Sequence, residues 1–145
     1  MKLNALVSGL ALVVIFNSML AVAVEPSPQN EPEPTLQSTM KEMNADLKAI
    51  VAQIDDVSKN ASSTVMAEHF VSLVERAKTF VPDSVASVPE DRRQARVDLY
   101  LQMLDGTSKL GQALIECFRA DDNERARKVL KELGAAKTEG HGEFK

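Results

Sequence analysis

The chain contains a single cysteine, Cys117, and no tryptophan. One cysteine excludes an internal disulfide, so the core alone must hold the fold. Cys117 itself reads as a small buried helix residue, with a free thiol or an intermolecular bridge as the alternative. Aromatic residues are few, one tyrosine and five phenylalanines, and no run alternates apolar with polar, so no strand pattern competes with helix. No block of lysine and arginine is present, which argues against nucleic acid as a partner. No Gly-rich phosphate loop, nucleophile–base arrangement or paired carboxylates stand out, and an enzyme is not expected. Two histidines and one cysteine at scattered positions cannot supply the three or four ligands of a zinc site.

The one long apolar run lies at the start. Met1-Lys2 gives a short basic opening, Ala5 to Val22 is apolar or small, and Ala21-Val22-Ala23 has the form of a cleavage site. Residues 1–23 are expected to be a secretory signal peptide. Its removal takes away one basic residue and no acidic one, leaving a net charge of −5. No second run is long enough to cross a bilayer, so no membrane association is expected after cleavage. The expected location is the periplasm. Four of the six prolines (Pro26, Pro28, Pro32, Pro34) crowd residues 24–34, which are expected to form an extended, disordered tether.

Residues 35–145 carry the domain. Leu36, Met40, Met43, Leu47, Ile50, Ile54 and Val57 recur at alternating steps of four and three, the stripe of a helix with one buried face. Thr35 is placed to cap that helix, which is expected to run to about Val57. After a turn at 58–63, with Ser62 or Ser63 as cap, Met66, Phe70, Leu73, Ala77 and Phe80 mark a second helix over about 64–80. Pro82 ends it, and 81–88 forms a loop. Ser87 and Glu90 have capping-box spacing for a third helix to Arg119. Its seam runs through Val97, Leu101, Leu104, Ser108, Gly111, Ile115 and Phe118, widened by Tyr100, Thr107 and Leu114. Ala120–Asn123 forms a tight turn. A fourth helix from about Glu124 faces inward with Ala126, Val129, Leu130, Leu133, Ala136 and Phe144. The expected fold is all-α, an up-down-up-down antiparallel four-helix bundle.

In that topology the start of the first helix lies beside the end of the fourth. Met40 and His141 then share one end of the bundle, with Phe80, Val97, Tyr100 and the 81–88 loop around an apolar pocket. Thioether and imidazole are the axial pair of many low-spin electron-transfer haems. The ordinary alternatives stand beside this reading: a methionine on a heptad stripe usually fills the core, and a histidine near a helix end is usually solvated. His69, one residue off the second stripe and toward the other end from Met40, is expected to be partly exposed and no ligand.

From Leu36 onward the chain resembles the soluble cytochrome b562 family of bacterial periplasms. The resemblance rests on Leu36, Met40, Asn44 and Leu47 in the first helix. In the last helix it rests on Leu133, Lys137 and His141, followed by Phe144-Lys145. It implies Met40 and His141 as axial iron ligands. It further implies haem contacts from Leu36, Asn44, Leu47 and Leu133, with Tyr100 and Leu104 where the family has aromatic contacts. Lys137, and Lys145 beside it, would stand near a propionate. The stretch Lys137 to His141 holds no cysteine, so the haem would be non-covalent haem b, one per chain. The implied function is single-electron carriage by a monomer, with an unidentified redox protein as partner. Gly140 stands where the family has an aromatic residue, and Gly142 follows the histidine. The two glycines weaken the last turn by about 1 kcal/mol each. They motivate the alternative, a haem-free periplasmic binding bundle; a haem-delivery protein is a third.

Overall fold

A computed structural model describes residues 33–144. The expected signal peptide (1–23), residues 24–32 of the expected tether and Lys145 lie outside the described residues.

The described residues form an all-helical bundle. Helix α1 spans Leu36–Gln53. Thr35 caps it as expected: Ser38 N–H donates to Thr35 Oγ1 at 3.1 Å, and Thr35 N–H donates to Ser38 Oγ at 3.0 Å. Of the stripe, Met43, Ile50 and Ile54 are buried, while Leu36, Met40 and Leu47 are half-buried. The helix does not reach Val57. Asp56 instead caps a 3-10 turn, Val57–Lys59, its carboxylate accepting from Ser58 N–H at 3.0 Å and Ser58 Oγ at 2.6 Å. A short acidic side chain competes in this way with continuation of the helix, and Val57 is left exposed.

Helix α2 spans Asn60–Ala77, displaced from the expected 64–80. Neither Ser62 nor Ser63 caps it. Both lie inside the helix and accept from Gln53 Nε2, at 3.0 and 2.7 Å. The helix starts early because Asn60 is buried, donating its amide to Asp121 Oδ1 and Asn123 Oδ1, each at 2.8 Å. Asn123 in turn donates to the Ile54 carbonyl at 2.7 Å. This network pins the α1–α2 connection to the 120–123 turn, where Asp121 takes a positive φ of 55°.

The expected 81–88 loop contains one helical turn, α3 (Asp83–Ala86), anchored by the fully buried Val85. The Ser87–Glu90 capping box does not form. Ser87 has helical dihedrals and spends its hydroxyl on the Ser84 carbonyl at 2.8 Å, closing α3 instead of opening the next helix. Helix α4, Glu90–Arg119, begins after Pro89 with no side-chain cap. Helix α5 is Asn123–Phe144. Cys117 is fully buried in α4, and burial pushes its thiol pKa up.

Helix α2 packs against α1 and α4, and α4 packs against α5. Helices α2 and α4 pack tightly at Gly111, where a Cβ would stand 2.6 Å from Val71 Cγ2 and 3.2 Å from Phe70 Cδ1. Val71 is β-branched and stiff in a helix, so it cannot swing away cheaply. Gly111→Ala is therefore expected to lose a net ~1–2 kcal/mol in urea unfolding, overpacking outweighing the gain in helix propensity. Gly106→Ala, with nothing within 4 Å of the new Cβ, is expected to gain stability in the same assay.

Candidate functional site

One end of the bundle is open. A cleft of about 800 Å³ lies between the start of α1, the 81–84 segment, the first half of α4 and the end of α5. That volume falls within the range of small-molecule sites, about 300–1,000 Å³. Its walls are mainly apolar. Phe70, Met43, Leu104 and Leu133 form buried parts of the lining. Leu36, Met40 and Leu47 are only half-buried because their stripe faces this cleft here and solid core further along.

Most of the residues expected at the site line this cleft. Phe80 and Val97, expected around the pocket, do not, Phe80 because α2 ends short of it at Ala77, and Lys145 lies outside the described residues. Leu36, Met40, Asn44 and Leu47 line the cleft from α1, Tyr100 from α4, and Leu133, Lys137 and His141 from α5. The α1 and α5 walls are joined by Lys137 Nζ, which donates to Asn44 Oδ1 at 2.6 Å. His141 is exposed on the last turn of α5. Tyr100 is buried and donates its hydroxyl at 2.8 Å to the Ala77 carbonyl at the end of α2, which also accepts from Phe80 N–H at 3.2 Å. Burial pushes its pKa up to about 12, so the phenol stays protonated and the bond intact.

His69 does not line the cleft. It is half-exposed midway along α2, with Nδ1 2.8 Å from Asp46 Oδ2. Among the described residues no three His, Cys, Asp or Glu side chains gather as a metal-holding group. The donors at the cleft are thioether and imidazole.

Two residues of the cleft lining, Met103 and Lys41, and one outside it, Arg96, had no expected role from the sequence. Met103 lines the cleft, and its methyl lies 3.9 Å from where a Gly140 Cβ would stand. It is three residues past Tyr100 and four before Thr107, so helical spacing puts it on their face. Lys41 stands at the rim, a second cation beside Lys137, with no signal apart from other surface lysines. Arg96 contacts the end of α5 through Glu143 and Phe144.

Helix α5 runs through both glycines flanking His141 to Phe144. Neither glycine is required by space: nothing lies within 4 Å of a Cβ on Gly142. Gly142→Ala is expected to stabilise the last turn by ~1 kcal/mol, read as increased helical content and a higher urea midpoint. A lower midpoint would contradict the open surroundings of this residue.

Among the described residues no helix is long and apolar enough to cross a membrane. Compared with known proteins, residues 35–145 match the family model described as cytochrome b562. Neither the search of curated proteins nor that of solved structures found a match.

Proposed function

The chain belongs to the cytochrome b562 family, and we propose that it is an exported b-type cytochrome carrying single electrons in the periplasm. Family membership implies a haem-binding helical cytochrome. The finer reading is one non-covalent haem per chain, held in an up-down-up-down antiparallel four-helix bundle with Met40 and His141 as axial ligands. The observation that carries it is that Met40 and His141 line one cleft together with Leu36, Asn44, Leu47, Tyr100, Leu133 and Lys137. The bundle topology is supported by contacts that run in opposite senses along neighbouring helices. Examples are Gln53–Ser62 and Asp46–His69 between α1 and α2, and Glu68–Arg119 and Ala77–Tyr100 between α2 and α4.

The residues fit the group. Haem, when bound, supplies a one-electron ferric–ferrous couple. Met40 would hold the iron through a soft thioether, which would favour the ferrous state and raise the potential, and His141 would hold it through its imidazole. Leu36, Leu47, Leu133 and Phe70 exclude water from the apolar face. Lys137 and Lys41 supply cations at the rim for propionates, with Asn44 exchanging its present bond to Lys137. Met40 and His141 would together hold the iron from the chain's own side chains, and the role would then be electron carriage. The partner is a separate redox protein. Export rests on the signal peptide proposed for residues 1–23.

Potentiometric titration of the haemin-loaded chain tests this reading. A single reversible one-electron wave with low-spin bands throughout is the expected result. A high-spin ferrous form would overturn Met/His ligation. The exposure of His141 favours one second reading, a bundle of the same family whose cleft takes an apolar ligand without iron.

A further inference from the structure

The last turn of α5 carries His141 between two glycines. It ends, as every helix does, in carbonyls that have no partner within the helix. Side chains from two other elements reach that end. Arg96, in the second turn of α4, places Nη1 2.9 Å from Glu143 Oε2 and donates from Nη2 to the Glu143 carbonyl. Its guanidinium carbon lies 4.6 Å from the centroid of the Phe144 ring. Tyr100 meets the same ring edge-on, with centroids 5.3 Å apart and planes at 71°. From α3, Ser84 Oγ donates to the Phe144 carbonyl at 3.0 Å.

These contacts have one physical sense. A cation is favoured at the negative end of a helix, and also over an aromatic face. A planar guanidinium can serve a carboxylate and a carbonyl together, which a lysine ammonium does not match in geometry. Of the arginines opening α4, Arg93 turns back to the Val88 carbonyl, whereas Arg96 bonds α5. Among the described residues of α5 no side chain bonds the carbonyls of its last turn, and the two glycines weaken that turn further.

We propose that Arg96, with Ser84, forms a C-cap for α5 supplied from neighbouring elements, and that Arg96 is thereby a positioning residue for His141. The cap stands on these contacts alone; the positioning role rests on the ligand function proposed for His141. Freed from Arg96, the turn two residues past His141 unwinds and the imidazole leaves the cleft.

The test uses the full mature chain with Arg96→Ala, Arg96→Lys and Arg96→Ala combined with Gly140→Ala and Gly142→Ala. Amide hydrogen exchange without haemin is expected to be about tenfold faster over 137–144 in Arg96→Ala, with α1 and α2 unmoved. Arg96→Lys falls between, and the two alanines restore part of the protection. With haemin, Arg96→Ala is expected to bind about tenfold more weakly, the scale of an outer residue that orients a ligand. Added imidazole restores its low-spin bands. Unchanged exchange over 137–144 overturns the cap. Faster exchange with unchanged haemin affinity and spectrum overturns the positioning role. A parent chain that takes no haemin overturns the proposed function and with it the positioning role, while exchange still decides the cap.

Discussion

Replacing Met40 with alanine is expected to turn the ferrous haem from low-spin to high-spin and to weaken haemin binding at least about tenfold, or ~1.4 kcal/mol. Met40 lies half-buried on the α1 stripe where that stripe faces the cleft. Its loss removes a donor at modest cost to packing, and far-UV circular dichroism should stay helical. Met40→His is the informative companion. It keeps a ligand but exchanges the soft thioether for imidazole, so the haem stays low-spin and the potential falls. His141→Ala gives the same high-spin outcome from the other wall. Because His141 is exposed, that variant leaves the core untouched. Low-spin spectra in both alanine variants would mean that other side chains hold the iron.

Phe70→Ala is expected to cost ~3–5 kcal/mol in urea unfolding, the range for deleting a buried aromatic side chain. Phe70 is 1% exposed, lines the cleft and lies against α4 at Gly111. Its removal leaves a void that α2 and α4 cannot readily close, because the stiff Val71 side chain already stands against Gly111. The same change opens the cleft on its core side. Phe70→Leu restores most of the lost stability. Haemin in excess should recover part of the Phe70→Ala loss, since a ligand that binds only the folded chain stabilises it by mass action. A loss below about 1 kcal/mol in Phe70→Ala would contradict the packing described here.

The helices and the meeting of Met40 with His141 at one cleft were legible in the sequence for a simple reason. Unbroken steps of four and three fix which face of each helix is buried, and short connections between long helices fix which ends come together. The boundaries were less legible because they depend on which partner a small polar side chain finds in space. Asp56 ended α1 by accepting from Ser58. Ser62 and Ser63 bonded Gln53 instead of capping α2, and Ser87 closed α3 instead of opening α4. Each has the right composition for its expected role, and composition does not record the neighbour. Asn60 read as a turn residue, yet it is buried on Asp121 and Asn123, some sixty residues away in sequence. Arg96 was the hardest to read. It sits among Arg92 and Arg93 in a polar opening turn, and only the packing of α4 against α5 singles it out.

Titrating the purified mature chain with haemin, and then adding dithionite, tests directly whether Met40 and His141 hold one haem. Saturation at about one equivalent and sharp low-spin bands on reduction are expected, the behaviour of a thioether–imidazole pair on one iron. A broad signal that does not saturate, or a high-spin reduced form, would contradict that ligation and leave the cleft to an iron-free ligand.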